Sequence, residues 1–166
     1  KAPVLEKARL RGIPAYYINP GQFDDRKLYE RELVRVCEDY EVDLVVLAGY
    51  MRILGETFIR SYHWRIINIH PALLPSFTGL NAQRQALEYG VRFSGCTVHF
   101  VDLGVDTGPI ILQAVVPVYP GDDEDSLSHR ILKEEHRLLP EAVKLIATGR
   151  LELNGRQVTI LPEEVV

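Results

Sequence analysis

The stretch RIINIHPALLP (Arg65–Pro75) opens as a buried strand and then spoils it. Ile66, Ile67 and Ile69 suit a strand covered by other elements, but Asn68 and His70 set an amide and an imidazole among them, and Pro71 stops the run. Alternate residues of a strand share a face. Ile67 and Ile69 therefore point one way, and Asn68 and His70 the other. Open parallel sheets bind their ligands just beyond the carboxyl ends of the strands. A donor amide and a titratable ring sharing a face at such an end read as a site. The structural alternative is a histidine satisfied by a backbone carbonyl beside an asparagine that helps to make the turn.

Working outward, DLVVLAG (Asp43–Gly49) is a continuous apolar run of strand length, the pattern of a parallel strand covered on both faces. Its end, Gly49-Tyr50-Met51-Arg52, is a second strand terminus of the same kind. Before it, VLEKARLRG predicts a helix ending at Gly12, and PAYYIN (Pro14–Asn19) predicts a short strand. Asp24 or Asp25 caps a helix to about Glu41, in which Leu33, Val36, Cys37 and Tyr40 recur on one face. Further helices are expected over about Gly55–Tyr62 and Ala82–Tyr89, the latter closed by Gly90. Two β-rich runs follow, Cys96–Val101 and Ile110–Val118. A long helix spans about Asp125–Thr148, capped by the acidic run Asp122–Ser126 and kinked at Pro140. LELNGRQVTI reads as a hairpin across Asn154-Gly155. This alternation predicts an α/β fold, a mostly parallel sheet with helices on both faces, in one domain over 1–166.

The chain has 166 residues, enough for a sizeable core, with 46% hydrophobic and 25% charged residues and a formal net charge of -4. An acidic balance without a basic patch points away from nucleic acid. Cys37 and Cys96 show no metal spacing and read as reduced thiols, and no metal is expected. No apolar run approaches the ~20 residues of a membrane span, and no leader pattern is visible. A cytoplasmic protein is the expectation.

A carboxylate enters at Asp106, in LGVDTGPI, where Gly104, Gly108 and Pro109 mark a tight loop before a strand. Beside His70 it would favour the charged ring. Asn68, imidazolium and carboxylate together can stabilise an oxyanion and move a proton. No nucleophile motif accompanies them, so the set suits direct acyl transfer between two bound substrates. Glu135 shares a helix face with Ile131, Leu138 and Ala142. A carboxylate on such a stripe either faces a cleft or forms an internal salt bridge. His99 shares a strand face with Val101 and is open between core and site. His63, His129 and His136 read as surface or helix-packing residues.

AGYMRIL, NIHPALLPSFTGL, GCTVHFVDLGVDTGPIILQ and KEEHRLLP resemble, in this order, the glycinamide ribonucleotide formyltransferase family of purine synthesis. The likeness runs from Lys1 to about Leu151. It implies a Rossmann-like formyltransferase fold, 10-formyltetrahydrofolate as formyl donor, glycinamide ribonucleotide as acceptor, and a homodimer as one expectation. By motif, Asn68, His70 and Asp106 resemble the family's catalytic trio. Met51, Arg52, Leu54 and Val105 resemble its folate site, and Gly49, Pro71 and Glu135 its ribonucleotide site. The family's first strand and Gly/Ser-rich phosphate loop would precede Lys1, so an N-terminally incomplete chain is expected. Asn81 and Gln83 stand where the family often carries histidines, and Leu132 stands where some relatives carry a polar residue near the phosphate.

Three rivals share some of these blocks. Formyltetrahydrofolate deformylase would use the same trio with water as acceptor, but its usual motif has a second histidine where Ile69 stands. A methionyl-tRNA formyltransferase would need a basic tRNA-gripping domain. The third is a folate-binding fragment without turnover. A generic nucleotide-binding domain lacks its GxGxxG or P-loop pattern here.

Overall fold

The apolar run after Asp43 forms β1 (Val45–Leu47), and the stretch around Asn68 forms β2 (Ile66–His70) beside it, in parallel. This is a computed structural model that describes residues 3–163. They fall into two compact units, Lys1–Val42 and Asp43–Val166.

In the first unit, α1 (Pro3–Arg9) ends in a turn where Gly12 takes a φ of 66°. A 3₁₀ turn at Pro20–Gln22 leads to α2 (Arg26–Asp39). Asp25 caps α2 by accepting from the Leu28 N–H at 2.8 Å. Leu33, Val36 and Cys37 are half-buried on α2, while Tyr40 is exposed and its hydroxyl meets that of Tyr16. The strand expected over Pro14–Asn19 does not form. A strand needs a ladder partner, and this unit contains none among the described residues.

The second unit holds a four-stranded sheet in the order β1-β2-β3-β4, with β3 at Phe93–Phe100 and β4 at Ile110–Pro117. Helix α3 (Glu56–Ser61) joins β1 to β2, and α4 (Ala82–Tyr89) joins β2 to β3. The α/β expectation holds, but the pairing is mixed. β1–β2 is parallel, whereas β2–β3 and β3–β4 are antiparallel. The passage through α4 brings the chain back in the reverse direction. The short loop 101–109 then cannot make the crossover that a parallel pair requires. Gly90, with φ 78°, ends α4 by donating its N–H to the carbonyls of Ala86 and Leu87.

Helix α5 (Glu124–Ala147) packs on β3 and β4 and runs unbroken through Pro140. Its start is fixed by a capping box between Asp123 and Ser126, the role expected of the acidic run. Asp122 grips Arg130 through two bonds of 2.8 and 2.9 Å, and this holds its carboxyl well below the usual range. The hairpin of β5 (Leu151–Asn154) and β6 (Gln157–Ile160) turns through Gly155-Arg156, one residue later than expected. Positive φ at Gly155 alone, 59°, fits a turn of the II′ kind.

Alternation divides β3 between two tasks. Cys96, Val98 and Phe100 enter the core with Ile67, Leu127, Ile131 and Leu138. Gly95, Thr97 and His99 lie on the opposite face. Burial, aided by the charges of Glu135 and Glu134, pushes the Cys96 thiol up to about 12, so it is a neutral packing group. Replacing the fully buried Ile131 by alanine is expected to lower stability by about 2–5 kcal/mol. A urea midpoint shifted down at unchanged slope would show it.

Candidate functional site

A cleft of about 970 Å³ opens at the carboxyl ends of β1 and β2. All ten residues singled out in the sequence line it: Asn68, His70 and Asp106; Met51, Arg52, Leu54 and Val105; Gly49, Pro71 and Glu135. Gly49 takes φ 67° and starts the loop that carries Met51 and Arg52 along the rim. The exposed side chains of Met51, Ile53, Leu80 and Val105 give that rim an apolar character. Leu54 is buried, and Pro71 lines the wall as the chain leaves β2. Asn81, Gln83, Leu132 and His136 also line the cleft. Among the described residues, no serine, threonine, cysteine or lysine lines it, and no cluster could hold a metal ion.

The polar centre is built by the ends of β2 and β3 and by the loops that follow them. His70, buried at the end of β2, donates its Nε2–H to the Phe77 carbonyl at 2.8 Å. Its Nδ1 lies 3.4 Å from Asp106 Oδ2. Both ring nitrogens thus face oxygens that only accept. The Gly79 N–H donates to the same Asp106 oxygen at 2.8 Å. Asp106 is set in place by φ 55°, a left-handed conformation that a short polar side chain tolerates. Asp102 builds its loop by accepting from the Gly104 N–H and the Thr107 hydroxyl. Gly108 is required there because a Cβ would lie 1.7 Å from the Phe100 carbonyl.

His99, left undecided by the sequence, belongs to the site. It is buried on β3 directly opposite Asn68 in the β2–β3 ladder. Its Nδ1–H donates to the Phe100 carbonyl at 2.8 Å. That leaves the Nε2 lone pair to accept from Asn68 Nδ2–H at 3.3 Å. Asn68 therefore spends one amide hydrogen on His99 and keeps the other for the cleft. A register shift between Val98 and His99 re-aims the strand at this point. His99 Nε2 also lies 3.7 Å from Asp106 Oδ1.

Burial alone would raise the Asp106 carboxyl. His99, the Gly79 N–H and the charge of His70 outweigh it and hold the group below its ordinary value. Glu135 behaves in the opposite way. Burial raises its carboxyl, and no ion pair engages it among the described residues, so it faces the cleft and not an internal salt bridge.

The sequence profile described as formyl transferase matches residues 1–143. The chain belongs to the formyl transferase family. It is 46% identical over 150 residues to phosphoribosylglycinamide formyltransferase of Escherichia coli strain K12, covering 90% of this chain and 71% of that protein. It is 51% identical over 145 residues to the trifunctional purine biosynthetic protein adenosine-3 of Drosophila melanogaster, covering 87% of this chain but only 11% of the much longer relative. The crystal structure of glycinamide ribonucleotide transformylase 1 from Symbiobacterium toebii matches with a TM-score of 0.93 at 53% identity, over 95% of this chain and 74% of that one. A formyltetrahydrofolate deformylase from Pseudomonas syringae is more distant, with a TM-score of 0.87 at 30% identity, over 95% of this chain and 52% of that one. The mixed sheet and the cleft at its strand ends are thus those of a formyl transferase.

The lowered Asp106 carboxyl has a sign. Its contacts stabilise the fold above the ordinary carboxylate value of 3.8, and that contribution is lost as pH falls below it. The stability gap between the wild type and Asp106→Asn is expected to be full near neutrality and to close in acid. Urea midpoints measured across that range check it.

Proposed function

We propose that this chain transfers the formyl group of 10-formyltetrahydrofolate to the amine of glycinamide ribonucleotide, in de novo purine biosynthesis. One observation carries this reading. Asn68, His70 and Asp106 meet in a cleft that offers donors for an oxyanion and a carboxylate to balance them, but no serine, threonine, cysteine or lysine nucleophile among the described residues. Such a site suits direct attack of one bound substrate on another.

The donor's flat ring system would enter against the apolar lining of Met51, Leu54 and Val105, with Arg52 beside it. The ribonucleotide would lie along Gly49, Pro71 and Glu135. The amine nitrogen attacks the formyl carbon, a C–N bond forms, and the carbonyl electrons move onto oxygen. The free Asn68 amide hydrogen and a His70 N–H meet the oxyanion. A charged oxyanion is a stronger acceptor than the neutral Phe77 carbonyl, so the His70 N–H can turn its hydrogen bond to it while the proton stays on the ring. Asp106 balances the imidazolium and helps a water carry a proton from the attacking nitrogen to the folate nitrogen. The bond to that nitrogen then breaks, leaving formylated ribonucleotide and tetrahydrofolate.

The family match spans both compact units, which supports reading 1–166 as one formyltransferase domain. Among the described residues no helix is long and apolar enough to cross a membrane. A cytoplasmic enzyme, with homodimer formation left to its expected role, completes the proposal. Ile69 packs against the core and supplies no second imidazole, which favours the amine over water as acceptor. His70→Ala or Asp106→Ala is expected to lower formyl transfer by about 10²-fold or more, with binding of the folate nearly unchanged. Full turnover in either variant, measured at saturating substrates, would sink the assignment of the trio.

A further inference from the structure

The loop after His70 is held by a buried hydroxyl that none of the proposed chemistry uses. Thr97 is fully buried and sits opposite His70 in the β2–β3 ladder. Its Oγ1–H donates to the Ala72 carbonyl at 2.7 Å, and the same oxygen accepts from the Leu74 N–H at 3.1 Å. Gln113, its cross-strand neighbour on β4, adds two donations. Its Nε2 reaches the Leu74 carbonyl at 3.1 Å and Thr97 Oγ1 at 3.0 Å. One strand residue on the same face is missing its side chain to match. A Cβ on Gly95 would lie 2.8 Å from Leu73 Cδ2 and 1.9 Å from the Ala114 carbonyl. Every residue from Ala72 to Leu74 is therefore fixed to the sheet, by hydrogen bonds at 72 and 74 and by close packing at 73.

What this clamp controls lies just beyond it. The chain runs on to Phe77, whose carbonyl accepts the His70 Nε2–H, and to Gly79, whose N–H donates to Asp106. Both backbone groups that touch the catalytic pair thus hang from the clamped segment. We propose that Thr97, with Gln113, is a positioning residue for formyl transfer, acting through the backbone of residues 72–79 on His70 and Asp106. It touches no substrate. The role in turnover rests on the proposed function, while the role in geometry does not.

Three variants test it in the intact protein. Thr97→Val keeps the shape but strands the Leu74 N–H and the Ala72 carbonyl. Thr97→Ser keeps the hydroxyl. Gln113→Leu changes an exposed residue, so it remains informative if Thr97→Val does not fold. Two readouts are taken, steady-state formyl transfer and hydrogen exchange of the Gly79 amide.

The expected result is a kcat lowered about 10- to 100-fold in Thr97→Val, with KM for the folate unchanged, a smaller loss in Gln113→Leu, and most of kcat kept in Thr97→Ser. Gly79 exchange should quicken in the same order. Folded variants with full kcat and wild-type Gly79 exchange would overturn the proposal, as would an equal loss in Thr97→Ser. If the wild type transfers no formyl group, the proposed function fails. The clamp is then judged by Gly79 exchange alone: faster exchange sustains it and unchanged exchange overturns it.

Discussion

The carboxylate of Asp106 accepts the Gly79 N–H through Oδ2, and the same oxygen lies 3.4 Å from His70 Nδ1, while Oδ1 lies 3.7 Å from His99 Nε2. Each partner comes from a different part of the second unit. His70 ends β2, His99 lies on β3, and Gly79 belongs to the loop that precedes α4. A buried carboxylate without such partners would be costly. With them it is held ionised, and it fixes three segments relative to one another. The setting of the His70 ring and of the loop at Gly79 depends on where that one group stands. The left-handed backbone at Asp106 and the close approach at Gly108 exist to put it there.

Strand β3 carries the same logic into the packing. Its side chains at Cys96, Val98 and Phe100 fill the core, and Gly95, Thr97 and His99 face the side of the cleft and its loop. Gly95 seats Leu73, Thr97 grips Ala72 and Leu74, and His99 orients Asn68. A single slip in register would exchange the two sets. Packing of Val98 and Phe100 in the core therefore also aims the site. Stability and chemistry are coupled through one strand, and the glycine on it is as specific as the histidine.

Much of this was legible in the residues. Asn68 and His70 announced themselves because polar groups interrupt an apolar strand at its end with a period of two. Helix limits followed from local chemistry that needs no tertiary partner, as at Asp25, Gly90 and the Asp123–Ser126 box. Strands were harder, because a strand exists only with a neighbour. PAYYIN has the composition of one but no ladder within its unit. The antiparallel return after α4 was hidden for the same reason, since helix–strand alternation does not state direction. His99 could not be assigned from its own strand. Only the register that sets it opposite Asn68 decides between core and site. Phe77 and Gly79 act through backbone atoms, for which side-chain identity gives no signal, and Thr97 looks like any other β-branched strand residue.

The central claim is that the cleft passes a formyl group from a folate to an amine. The most direct measurement follows loss of the formyl group from a 10-formyl folate by absorbance, with and without glycinamide ribonucleotide. The account predicts loss of formyl only when the ribonucleotide is present, with formylated ribonucleotide appearing in equal amount. Loss at the same rate without it would make water the acceptor and contradict the claim, and so would no loss in either case.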